Sequence, residues 1–330
     1  MKESTFIRQN KEKWNKYAEL ARDIKHADGG TDEVVAAYRE ILRDLSFARS
    51  HCKNSRVVPY LNGLATAFHS RIYETHFSFR SVWKLFIHDA PAVVWINRKW
   101  LLASLVTFLA FTLFGVILAV IDRQYIIDML GQGYVNQTLE NIRNGVPTDI
   151  YNSHNTKTMF LGITFNNLWV TLKMYGYGLI PIVGPLYFIS NNGLMLGEFQ
   201  TLFFQEGVGL QSMSAIWIHG TLEISELIIS GGAALLLGGG WLFPGSFSRM
   251  ESLRRSAVRS IRILAVSIPL IFIAAFLESF VTRHVEWPLF VRLSIIILSA
   301  IYIGWYYVYL PIKIGLSEDI NEFTDLTDLN

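Results

Sequence analysis

Residues Trp100–Ile121 read WLLASLVTFLAFTLFGVILAVI, with no ionisable side chain anywhere in the run. As a helix this stretch is long enough to cross a hydrocarbon core of about 30 Å. A surface helix of a soluble domain would show a charged face, and none is present here. Toward the C-terminus the pattern returns at Met159–Ile180, Val183–Phe204, Met213–Leu242, Ile263–Val281 and Phe290–Leu310. The chain is therefore predicted to be an all-α, polytopic helical membrane protein with about six transmembrane helices. The composition agrees. Charged residues are 17% of the 330, against about 25% in ordinary soluble domains, and nearly all the shortfall lies beyond Trp100.

Toward the N-terminus the charge density is ordinary, which marks a domain boundary. Residues 1–80 are expected to form a cytoplasmic three-helix region, since the opening MKESTFIRQNKEKW has no apolar core of a signal sequence. In residues 4–27, Ile7, Trp14, Tyr17, Ala21 and Ile24 make one stripe, capped by Ser4 or Thr5 and stopped at Gly29-Gly30. Thr31, with Asp32 and Glu33 behind it, begins a second helix whose stripe is Val34, Tyr38, Ile41, Leu45 and Ala48. Pro59 suits the first turn of a third, with Val58, Leu61, Ala65, Phe68 and Ile72 on one face. The basic residues Lys11, Lys13, Arg22 and Arg39 fit either a partner surface or an ordinary solvated face. The single cysteine, Cys52, excludes an internal disulfide and a cysteine zinc site. A net charge of +2 implies no nucleic-acid partner.

Residues 81–99 mix aromatic, apolar and basic positions around Pro91 and are expected to lie as an amphipathic elbow in the membrane surface. The transmembrane domain then covers 100–312, and 313–330 is an acidic tail with Glu318, Asp319, Glu322, Asp325 and Asp328. Arg249, Arg254, Arg255, Arg259 and Arg262 are read as a cytoplasmic loop, Arg98 and Lys99 fall on the same side, and both termini are expected in the cytoplasm. The loop 122–157 then faces outside, with a short helix near 135–144 and a three-residue sequon at Asn136. Gly178–Pro185 reads as a tight apolar turn or the tip of a re-entrant hairpin.

Ionisable groups inside a membrane are costly and seldom accidental. His219, Glu223 and Glu226 stand at i, i+4 and i+7 on one face of span four. Glu278 ends span five, Asn166-Asn167 begin span two, and Asn191-Asn192 with Glu198 lie in span three. With six spans these residues come to compatible depths in the outer half of the bilayer, where one polar pocket would unite them. Hydrogen-bonding glue between helices is the competing reading. His219, Glu223 and Glu278 are also candidate ligands for zinc or another cation, although the two-histidine zincin pattern is absent, and no cofactor is otherwise implied. Ser225 and Ser230 lie near this face without a nucleophile elbow around them. Gly231-Gly232 is read as a close-packing site in span four, and Gly238–Gly240 as its end; a break within the span is the alternative.

The run His219-Gly-Thr-Leu-Glu223-Ile, followed by Gly231-Gly232-Ala-Ala and Leu-Leu-Gly238, resembles the signature of the stage II sporulation protein M family. Ile163-Thr-Phe-Asn166-Asn167, Asn192-Gly193-Leu-Met-Leu-Gly197 and Ala275-Phe-Leu-Glu278-Ser-Phe-Val-Thr282 resemble its other segments. Tyr38-Arg39, Asp44–Arg49 and Tyr60-Leu-Asn62 resemble the soluble region of its longer members. The resemblance implies a multi-pass cell-membrane protein, and an envelope complex whose lytic enzymes are separate chains. It thereby favours a non-enzymatic component that organises membrane or envelope partners. A transporter or channel-like protein using the His/Glu/Asn pocket is the alternative, and an intramembrane metal-dependent hydrolase a distant third. The glycine-rich span is compatible with a homodimer.

Overall fold

A computed structural model describes residues 3–23, 31–52, 56–72, 79–145, 156–282 and 287–317, and within them all regular structure is helical. Ile24, Gly29-Gly30 and the acidic residues of the tail lie outside the described residues, as do the side chains of Arg22, Thr31, Asp32, Glu33 and Ile72. The chain divides into two compact units, Met1–Ser78 and Phe79–Asn330.

In the first unit, α1 (Glu3–Asp23), α2 (Thr31–His51) and α3 (Val57–Ile72) bring their apolar stripes together. Trp14, Ile41, Leu45, Ala48, Leu61, Ala65 and Phe68 form the core, joined by Phe6, Ala37 and Leu64. One polar group is built into it. The Trp14 indole N–H donates to Asp44 Oδ2 at 2.9 Å, and Lys13 Nζ stands 2.6 Å from the same oxygen. Asp44→Ala would orphan a buried donor, at a cost of about 1–3 kcal/mol. The expected result is faster amide exchange across α1–α3 of the full-length protein, with the membrane helices unchanged.

The second unit begins with α4 (Phe79–Lys84), a π-helical turn at Leu85–Asp89 and α5 (Ala90–Ile96). The residues read as a surface elbow are partly inserted in the bundle. The small apolar run Ala90–Val94 is buried, with α5 packed on α12 and α14. Then follow α6 (Arg98–Ile121), α7 (Gln124–Leu130), α8 (Gln132–Arg143), α9 (Thr156–Tyr177), α10 (Val183–Gln205), α11 (Gly209–Leu242) and α12 (Arg249–Phe276). A π turn at Leu277–Val281, α13 (Leu289–Gly304), another π turn at Trp305–Tyr309 and α14 (Leu310–Gly315) complete it.

Among the described residues, four helical stretches are long and apolar enough to cross a membrane: Arg98–Ile121, Gly209–Leu242, Arg249–Val281 and Leu289–Gly315. The apolar window of the second is 72% buried and that of the last 11%, so α11 is the axis of the bundle and α13 lies at its edge. At 34 residues, α11 is about 51 Å long and exceeds the hydrocarbon thickness. It is unbroken. Gly238–Gly240, expected to end it, stay helical because neighbours press against them: Trp100 on Gly239 and Ser256 on Gly240. Gly232 meets the Leu101 backbone of α6, the close approach that a small residue allows.

The segment read as a basic loop is also helical from Arg249. Ser248 accepts a hydrogen bond from Glu251 N at 3.3 Å, and Ser248-Arg-Met-Glu251 has the capping-box spacing. Glu251 then pairs with Arg254 at 3.1 Å and Arg255 at 2.8 Å, which shields the arginines of the first turns from one another.

Two of the six expected spans, α9 and α10, are long enough but carry too many polar residues to pass as apolar crossings, so four of the six qualify by length and composition among the described residues. Their placement is distinctive. α9 runs alongside α11: Thr171 Oγ1 donates to Glu226 at 3.1 Å, Ser230 Oγ to Met174 Sδ at 3.3 Å, and Gly178 abuts Ala234. α10 runs alongside α6: Gly193 faces Phe108, Gly197 faces Thr112, and Gln205 Nε2 donates to Ala119 O at 3.0 Å. The apolar turn joining them closes with Val183 N donating to Pro181 O at 2.7 Å. Ile182 takes φ 64°, ψ −52° at its centre, a γ-turn conformation that is rare and strained.

Candidate functional site

The face of α11 read from sequence as polar is where four helices converge. His219 and Glu223 are one turn apart on α11. Glu278 comes from the π turn at the end of α12, where Thr282 N bonds Leu277 O at 2.8 Å, an i→i+5 pairing. Such turns insert an extra residue and re-aim the side chains beside them. One ligand atom each from His219, Glu223 and Glu278 lies within 4.8 Å of the others, the one group of this kind among the described residues. Two carboxyls so placed hold together through a shared proton or a bound cation.

Each member is oriented by a neighbour. Asn167 Nδ2 of α9 donates to Glu223 Oε1 at 2.6 Å. Thr282 Oγ1 stands 2.9 Å from His219 Nδ1 and donates its own proton to Leu277 O at 3.2 Å. In the tautomer with its proton on Nδ1 the ring donates to Thr282, and Nε2 is the ligand-type nitrogen. That arrangement, a ligand nitrogen backed by a hydrogen bond on the other, is the habit of metal-binding histidines.

Glu226 lies one turn further along. It accepts from Thr171 at 3.1 Å and bonds Ser267 of α12, so it is a buried strut beside the cluster. Asn192 Nδ2 is tied to Phe188 O of its own helix at 2.8 Å. Asn166 and Asn191 are exposed; Asn166 reaches the rim of a cavity, whereas Asn191 contacts none of these groups. Glu198 is buried on α10 away from the cluster, and its Oε2 has no hydrogen-bond partner. Thr171, Ser267 and Thr282 were not read from sequence. Two of them carried a signal: Thr171 follows Asn167, and Thr282 follows Glu278, by one helical turn.

Two cavities meet at Glu223. One of about 450 Å³ is lined by His219, Glu223, Glu278, Gln200, Trp217 and Tyr134, with α7 and α8 over it. The other, about 240 Å³, is lined by Glu223, Glu226, Asn166, Asn167, Asn192 and Ser230. They lie in succession along α11. Beyond Ser230 the close contacts of Gly231 with Ser104 and Ile189, and of Gly232 with Leu101, close the interior.

Residues 104–283 match the family described as Stage II sporulation protein M. Residues 4–74 match a domain of unknown function (DUF8413). No curated protein and no solved structure matches the chain. The matched segment contains every residue of the polar cluster.

Proposed function

The chain belongs to the stage II sporulation protein M family, and from that premise we propose that it is a six-span membrane protein that takes up a small cation at His219, Glu223 and Glu278. The observation that carries this reading is the convergence of the three side chains on one cavity, of which Glu223 also lines the second. A histidine with two carboxyls is a donor set suited to a divalent transition metal such as zinc, or to a relayed proton. Movement of the cation between the cavities would be transport; the glycine-packed stretch beyond Ser230 would be the closed gate.

Six crossings are supported by the registry of the helices. α9 keeps pace with α11, and α10 with α6, as far as Gln205 beside Ala119. α9 exposes Leu161, Phe165, Trp169 and Leu172 outward in a stripe suited to lipid, and turns Asn167 and Thr171 inward. The same end of the bundle holds Lys99 with Arg255 and Arg259, which supports a cytoplasmic location for it and for both termini.

The test is flux in proteoliposomes holding a zinc-sensitive or pH-sensitive dye. The full-length protein should admit Zn²⁺ or protons, Asn191→Ala should match it, and His219→Ala should fall to the protein-free rate. Flux at the protein-free rate for the wild type would reject transport.

A second reading, a non-enzymatic component organising an envelope assembly, is favoured by the bonds that the cluster makes to itself across α9, α11 and α12. In that case His219→Ala would weaken the bundle, and partners would be captured through α1–α3.

A further inference from the structure

At the end of the bundle remote from the polar cluster, a cavity of about 740 Å³ opens between α6, α11 and the start of α12. Lys99, Arg255 and Arg259 line it, together with the hydroxyl-bearing Ser246, Ser252 and Ser256, and no acidic residue does. Trp100, Ala103, Leu236 and Phe243 supply an apolar side to the same space. Arg255 is held in place from two directions. Its Nε donates to Glu251 Oε1 at 2.8 Å, and its guanidinium lies 4.1 Å from the Phe247 ring centre.

We propose that this cavity binds a phosphate-bearing anion, and that its occupant is the headgroup of an anionic phospholipid. With Arg255 paired to Glu251, Lys99 and Arg259 keep the lining cationic, which the net negative charge of an anionic headgroup offsets and a zwitterionic headgroup does not. Serine hydroxyls, a guanidinium and an ammonium are donors matched to phosphate oxygens. The apolar side is what a lipid has and free phosphate lacks: an acyl chain leaving the headgroup would lie against Trp100, Ala103 and Leu236. Basic pockets between membrane helices are suited to such headgroups. The site is independent of the cation cluster, which lies on the other side of the Gly231–Gly232 packing.

The experiment uses the purified full-length protein in detergent. Phosphatidylglycerol, phosphatidylcholine and inorganic phosphate are each titrated, and thermal stabilisation is followed. Phosphatidylglycerol is expected to bind at least tenfold more tightly than phosphatidylcholine. The Lys99→Gln/Arg259→Gln double variant should lose at least tenfold, while Lys173→Gln, an exposed charge on α9, should lose nothing. Should the double variant fail to fold, Lys99→Gln alone, at an exposed helix start, should still weaken phosphatidylglycerol measurably. Stabilisation by millimolar inorganic phosphate equal to that by the lipid would support the phosphate site but move its source to a soluble anion. Equal response to the two lipids, or lysine and arginine variants that bind like the wild type, would overturn the proposal.

Discussion

Glu223→Gln is expected to weaken Zn²⁺ binding to the purified protein by about a hundredfold or more. The amide keeps the volume of the carboxyl and can still accept the Asn167 Nδ2–H that now reaches Glu223 at 2.6 Å, so the helices should stay packed. What it removes is an anionic oxygen from a three-ligand set whose atoms lie within 4.8 Å of one another. Loss of a merely supporting hydrogen bond around a metal typically costs about 10–100-fold, and loss of a ligand should exceed that. His219→Ala and Glu278→Gln should behave alike. Glu226→Gln should not, because Glu226 is bonded to Thr171 and Ser267 and sits outside the ligand group. Binding should also fade as the medium is acidified, since protons and metal compete for the same lone pairs. Isothermal titration decides it. One Zn²⁺ per chain, lost in the three variants and kept in Glu226→Gln, is the expected pattern; equal binding in wild type and Glu223→Gln would remove the cation site.

How much of this was legible in the sequence follows from what periodicity can and cannot encode. The helix face carrying His219, Glu223 and Glu226 was readable, because a regular helix fixes which residues align. The pairing of Glu278 with that face was expected only through a topology. The π turn that aims it is not visible in spacing, whereas Thr282, which orients His219, does follow Glu278 by four residues. Asn191 shows the converse: adjacent to Asn192, polar and at the right depth, it nevertheless faces outward, since successive residues on a helix point about 100° apart. The arginines after α11 are expected in a loop from their charge alone, whereas Ser248 caps a helix that begins at Arg249. α9 and α10 were legible as helices, but their polar residues, some turned inward (Asn167, Thr171, Glu198) and some outward (Asn166, Lys173, Asn191), lower the very apolarity by which crossings are recognised. The glycines were read correctly as contact points at Gly231-Gly232 and wrongly as a terminus at Gly238–Gly240, since composition alone cannot distinguish a helix end from a helix pressed by neighbours.

Gly197→Leu is expected to be the most damaging single substitution in the membrane unit, costing about 3 kcal/mol or more. α6 and α10 make one of the two most extensive helix pairs among the described residues. At Gly197 the surface of α10 lies directly on the backbone of α6, at Thr112 and Val116. A side chain there cannot be accommodated by a rotamer change, since what it meets is a carbonyl and an amide. The two helices must separate, and Gly193 against Phe108 and Gly115 against Leu194 are pulled apart with them. Membrane helices gain little from hydrophobic burial against lipid, so a lost close contact is not replaced by another driving force. Gly197→Ala should show the same defect in weaker form. Gly162 on α9 is the control: nothing stands within 4 Å of a Cβ there, and alanine should be neutral or gain up to about 1 kcal/mol from helix propensity. Thermal unfolding in detergent should order the variants Gly162→Ala, wild type, Gly197→Ala, Gly197→Leu from most to least stable. The consequence reaches the cluster. Met195 and Leu196 of α10 wall both cavities, so any Gly197→Ala protein that folds should bind Zn²⁺ more weakly although every ligand is intact. Unchanged stability in Gly197→Leu would mean that α6 and α10 do not pack along this seam, and the cavities they enclose with α11 would fall with it.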